Sequence, residues 1–206
     1  MSRYVITIAR GYGSGGRTIG KMLSKELGIP FYDRELLRLA SDDSGINEEL
    51  FVKADEKLKK TRLFKIARKA YQGELIPPDS DDFVSNDNLF NYQAKIIKEL
   101  AETESCVIVG RCADYILKDC DRVIKVFVHA PLEDCITTLR EMTGEGDKEI
   151  EKKIKSIDNH RAEYYEYYTG RRWDNASNYD LCLNSSQLGF QKCVDIVKSY
   201  MDIRFS

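Results

Sequence analysis

Gly11, Gly16, Arg17 and Thr18 stand at the spacing of a phosphate-binding loop, G-x-x-x-x-G-[K]-[ST], with arginine in place of the lysine. Glycines at 11, 13, 15 and 16, with Ser14 among them, let backbone N–H groups turn inward around a phosphate. A helix directly after the loop adds its positive N-terminal end. Neither effect needs a side chain. Arg17 can span phosphate oxygens with a planar fork where lysine would offer a mobile point charge, and the Thr18 hydroxyl is a ligand for Mg²⁺. Gly11, Gly13, Ser14, Gly15, Gly16, Arg17 and Thr18 are therefore the expected donor-phosphate site. The competing reading, a glycine-rich turn with a surface arginine, is disfavoured by the apolar strand pattern before the loop and the amphipathic helix pattern after it. Arg10, just ahead of the loop, is expected to be solvated.

Other charged residues fall where they can meet that loop. In "FYDRE", Asp33 and Arg34 follow the second strand directly, at the sheet edge where open α/β sheets bind ligands. A helix-capping aspartate beside a solvated arginine is the alternative. In "VGRCAD", Arg111 follows a buried strand at the same edge, with a surface ion pair to Asp114 or Asp119 as the alternative. Asp158 and Arg161 lie three apart on one helix face, and Arg171 and Arg172 follow Gly170, a residue with freedom to swing. Arg140 closes the preceding helix and is a candidate to lie against a donor base. No Ser/His/Asp or Cys/His triad motif is present. Phosphoryl transfer requires none, because it runs on in-line positioning and charge neutralisation.

The elements that must position these groups alternate along the chain. Strand patterns at 4–9, 29–32, 106–110, 123–130 and 180–184 alternate with helical patterns at 16–27, 34–41, 89–103, 132–142, about 148–168 and 189–201. Short, nearly unbroken apolar strands need helices on both faces. The expectation is a doubly wound α/β domain with a parallel five-stranded sheet. Residues 47–72 read as one or two charged amphipathic helices, and 77–87 as a polar loop.

A chain of 206 residues that is 42% hydrophobic suits one domain, 1–206, with an ample core. The formal net charge of -2 favours neither nucleic acid nor a membrane surface. Met1 leads directly into strand-like residues with no basic, apolar or lipidation signal, so a cytoplasmic protein is expected. Six cysteines form no C-x-x-C pair, and with two histidines they make no recognisable zinc set.

The segments "GYGSGGRTIGKMLSKELGIPFYDREL", "VIVGRCADYIL", "DNHRAEYYEYYTGRRW" and "NYDLCLNSSQLG" together resemble the cytidylate-kinase-like branch of the nucleoside monophosphate kinases, from about residue 4 to residue 200. In that branch the loop commonly reads G-S-G-G-R, so Arg17 is a family habit. The resemblance implies a P-loop kinase fold, with ATP and Mg²⁺ as cofactors and small nucleotides as partners in a monomer or homodimer. It implies that Thr18 and Asp33 hold the metal, and that Arg34 and Arg111 reach the acceptor phosphate. Asp158 would contact the acceptor sugar and Arg161 would bridge phosphates. Residues 143–173 would form a lid carrying Arg171 and Arg172, and 47–95 an acceptor-binding insert. The expected reaction is phosphorylation of CMP or dCMP. Two positions depart from the family pattern. Arg34 replaces a common serine, and Cys112 a common base-recognising aspartate. Another small acceptor, or a nucleotide-binding regulator with little turnover, stays open.

Overall fold

The computed structural model describes residues 3–57 and 74–206 of the chain. In order, they form β1 (Val5–Arg10), α1 (Gly16–Leu27), β2 (Phe31–Tyr32), α2 (Glu35–Ser44), α3 (Glu48–Lys57) and α4 (Asn86–Thr103). There follow β3 (Cys106–Val109), α5 (Ala113–Ile116), β4 (Val123–His129), α6 (Leu132–Thr143) and α7 (Asp147–Thr169). The chain ends with β5 (Leu181–Asn184), α8 (Ser185–Leu188) and α9 (Phe190–Phe205). The strands make one parallel sheet in the order β2-β3-β1-β4-β5.

Successive strand side chains point to opposite faces, so the apolar runs divide between two cores. Cys106 and Ile108 of β3 pack with Leu36 of α2 and with Phe90 and Ile97 of α4. Val107 and Val109 pack on the other face with Ile19 and Leu23 of α1 and with Val194 and Val197 of α9. This is the doubly wound sheet that the alternating pattern implies.

The register of β1 against β3 pairs Ile8 with Val109. Continued two residues, that register sets Arg10 beside Arg111 at the carboxyl edge of the sheet. The Gly11–Gly16 loop leaves from the same edge.

Boundaries differ from the sequence reading for local reasons. β2 covers only Phe31–Tyr32, because Pro30 has no N–H for the ladder and contributes only its carbonyl, which accepts from Val107 N–H at 2.9 Å. The polar 77–87 stretch gives way to α4 at Asn86, where the Ser85 hydroxyl accepts from Asn88 N–H. α4 then runs unbroken through residue 95. The four-residue helices α5 and α8 are too short to show a period. Residues 58–72 of the amphipathic stretch lie outside the described residues. α7 is anchored at its C-terminal end, where Tyr165 and Tyr168 are buried and Tyr168 stacks on Phe90 with centroids 3.9 Å apart. No helix of the described residues is long and apolar enough to cross a membrane.

Candidate active site

The Gly11–Thr18 loop is shaped from below. The Ser14 hydroxyl donates to Gly11 O at 2.9 Å and Val128 O at 3.1 Å, and the residue is 1% exposed. Its side chain therefore ties the loop to β4, which leaves its main chain as the part of Ser14 that could serve donor binding. From α8, the Ser185 hydroxyl donates to Ser14 O at 2.6 Å. Gly15 caps α1 at φ +76°, and no side chain caps that helix. The first helical bond to Gly15 O comes from Ile19 N–H at 2.9 Å. The amides of Gly16, Arg17 and Thr18 thus have no acceptor within the helix, and an anionic phosphate fits that helix end.

A side chain at Gly15 would meet two obstacles. Its Cβ would lie 2.3 Å from the Phe190 ring, and its φ disfavours any L residue. We expect Gly15→Ala to destabilise the fold by about 2–4 kcal/mol from strain and overpacking together. Adding Phe190→Ala should recover the packing share only. Urea denaturation of the single and double variants measures both terms.

Beyond the loop, arginines and aspartates converge. Arg17 Nε donates to Asp33 Oδ2 at 2.6 Å, and Asp33 is only 6% exposed. Asp33 does not cap α2: the cap position is Arg34, which is exposed. Arg10 is not solvated, contrary to the sequence reading. Its side chain is 20% exposed, and its Nη2 lies 3.9 Å from Asp33 Oδ1. Burial, then the neighbouring Arg161, push its guanidinium down to about 9, still charged at neutral pH. Arg111 and Cys112 hold left-handed φ values of 60° and 54°. For non-glycine residues that costs of order 1–3 kcal/mol each, and it turns the chain sharply off the end of β3. Asp114, weighed above as a surface partner for Arg111, is instead buried and accepts from Tyr165 Oη at 2.6 Å.

α7 closes the cluster. Tyr12 N–H donates to both Asp158 carboxylate oxygens, at 2.9 and 3.1 Å. Arg161 Nη1 donates to Asp158 Oδ1 at 3.1 Å and to Arg10 O at 3.0 Å. Burial raises the Asp158 carboxyl against the opposing pull of Arg161 and the Tyr12 amide. This pair, expected at an acceptor sugar and phosphates, grips both sides of Gly11. Four arginines (10, 17, 111 and 161) thus gather around two carboxylates, Asp33 and Asp158. Charges removed from water require partners, and the surplus here is positive.

Other expected residues point elsewhere. Arg140 pairs with Asp147 at 3.0 Å. Arg171 lies over the Tyr115 ring at 5.2 Å, and Arg172 pairs with Asp174 at 2.8 Å.

A phosphate loop at the end of β1, an arginine turn at the end of β3 and an Asp-x-x-Arg clamp on α7 form one arrangement. The sequence profile of the cytidylate kinase-like family matches residues 5–187, nearly the whole chain. The chain belongs to that family. No curated protein sequence matches it. Among solved structures, an uncharacterized protein from Eubacterium ventriosum is 25% identical, with a TM-score of 0.71 over 97% of this chain and 99% of that one. Shikimate kinase from Bacteroides thetaiotaomicron is 16% identical, with a TM-score of 0.54 over 98% and 99% of the two chains. A gluconokinase from Sinorhizobium meliloti is 13% identical, with a TM-score of 0.54 over 99% and 98%. These likenesses establish the P-loop kinase fold of this family member.

Magnesium fits the donors at hand. It commonly takes one or two carboxylates and completes its shell with phosphate oxygens and water. The Thr18 hydroxyl, in the first turn of α1, and the Asp33 carboxylate are oxygen ligands of that kind. Among the described residues no group of three or more His, Cys, Asp or Glu offers a denser site.

Proposed function

We propose that this protein transfers the terminal phosphoryl group of ATP to a pyrimidine nucleoside monophosphate, CMP or dCMP, giving the diphosphate. The observation that carries the reading is the surplus of arginine at one sheet edge, shared between the Gly11–Thr18 loop and the Arg111 turn. Two phosphate-bearing ligands meeting there would neutralise it. Thr18 and Asp33 would hold Mg²⁺, which when bound draws charge from the phosphate oxygens. The α1 amides and Arg17 would hold the donor phosphates, and Arg111 would take the acceptor phosphate in a planar fork. Arg161 would keep both sides aligned through Asp158 and Arg10. Arg34, exposed beside Asp33, would meet the acceptor from the open side. Arg171 and Arg172 would leave Tyr115 and Asp174 when the lid closes and excludes water. An acceptor phosphate oxygen is already a nucleophile, so no general base is needed.

The test is single-turnover ATP consumption with CMP, dCMP and UMP, beside a panel of small alcohols and hydroxy acids. We expect CMP or dCMP to raise consumption well above the no-acceptor rate. The Arg171→Ala, Arg172→Ala double variant should lose turnover while keeping its affinity for ATP alone, because both charges are needed only in the closed state. Consumption with an alcohol alone would move the acceptor to another class. No consumption with any acceptor would leave a nucleotide-binding regulator.

A further inference from the structure

The reading above uses only the carbonyl of Arg10, yet the fold makes room for its side chain. A Cβ on Gly16 would lie 2.5 Å from Arg10 Cβ, and a Cβ on Gly110 would lie 2.3 Å from Arg10 Nη1. The side chain therefore runs from the first residue of α1, beside the donor loop, to the turn that carries Arg111. Two glycines, one on each side, keep that path open. The side chain spans the gap between the two halves of the site, with its guanidinium at the Gly110 end.

The guanidinium is also under-used. A planar fork carries five N–H donors. Among the described residues none of the Arg10 side-chain donors makes a hydrogen bond, and its nearest carboxylate, Asp33, is 3.9 Å away. The other oxygen of that carboxylate, Oδ2, is taken by Arg17 Nε at 2.6 Å. The Arg10 main chain, by contrast, is fixed: its carbonyl accepts from Arg161 and its strand pairs with Val128 of β4. A cation on a fixed main chain, mostly out of water and one-fifth exposed, with no hydrogen-bond partner among the described residues, is set to receive an anion.

We propose that Arg10 binds the third phosphate of the donor nucleotide, as a fixed counterpart to Arg17. The inference depends on the proposed function only in taking the donor to be a nucleoside triphosphate. Because the Arg10 head lies over Gly110 and away from the α1 amides, it would reach the phosphate farthest along the chain and not the one seated on the helix. Transfer then happens between two guanidiniums anchored on neighbouring strand ends, Arg10 and Arg111. The mobile lysine usual in such loops would be replaced by one rigid arginine and one half-exposed arginine.

The deciding measurement is calorimetric affinity for ATP·Mg²⁺ and for ADP·Mg²⁺, with Arg10→Gln and Arg10→Lys beside the natural protein. Arg10→Gln should weaken ATP binding about tenfold to a hundredfold, the loss of a charge-assisted contact, and leave ADP binding within about twofold of natural. A purely architectural arginine cannot separate the two ligands. Equal losses for ATP and ADP, or no loss, would overturn the proposal. If Arg10→Gln does not fold, Arg10→Lys decides: it keeps the charge but not the fork, and should lose ATP affinity at least about fivefold. Unchanged ATP affinity in that variant would also overturn it. ATP-over-ADP discrimination needs no acceptor. Failure to phosphorylate CMP would therefore sink the proposed function alone, while wild-type discrimination in the Arg10 variants of an active CMP kinase would sink this inference alone.

Discussion

Arg161→Ala is expected to reduce turnover at least a hundredfold and to lower stability as well. The guanidinium donates to Asp158 Oδ1 and to Arg10 O, so its loss frees the strand end that enters the donor loop and leaves the Asp158 carboxylate without its cation. Breaking a fully buried ion pair costs about 3–5 kcal/mol. With the two side chains 22% and 25% exposed, the cost here should fall below that range. Asp158→Ala should act through the same clamp. If Asp158 met only an acceptor sugar, its removal would raise the acceptor KM alone. Because both its oxygens accept from Tyr12 N–H, the variant should also weaken ATP binding. Steady-state kinetics with each substrate varied in turn checks both variants. An Arg161→Ala protein with natural kcat and natural ATP affinity would remove α7 from the site.

Arg17→Ala should weaken ATP·Mg²⁺ binding by about 1.5–3 kcal/mol, the worth of a hydrogen bond to a charged group. The side chain is 52% exposed and tied at one end to Asp33, so it has both the freedom and the anchor to swing onto phosphate. The variant would also strip Asp33 of its short partner while Arg10 remains 3.9 Å away. A double-mutant cycle with Asp33→Asn separates the two effects. Should Arg17 act only by holding Asp33, the Arg17→Ala change would add nothing in the Asp33→Asn background. Unchanged calorimetric titration of ATP in Arg17→Ala itself would take Arg17 out of the donor site.

The sequence by itself determined the sheet, its covering helices and the phosphate loop. Those features are written in local periods and spacings: near-continuous apolar strands, amphipathic helices, and glycines placed where a loop must turn directly into α1. The place of Arg111 was legible for the same reason, since a residue just after a buried strand has to emerge at the carboxyl edge of the sheet. Only the tertiary structure decided what the charged side chains do there. Asp158 meets the Tyr12 amide across 146 residues, and Ser185 reaches Ser14 across 171. No local pattern carries either contact, because both depend on which helices the strand order β2-β3-β1-β4-β5 sets beside the loop. Arg10 shows the limit most plainly. An arginine between a strand and a glycine loop has every reason to be solvated until a parallel register brings Gly110 alongside. The space left by two missing side chains, 94 residues apart in sequence, then makes burial of the guanidinium possible.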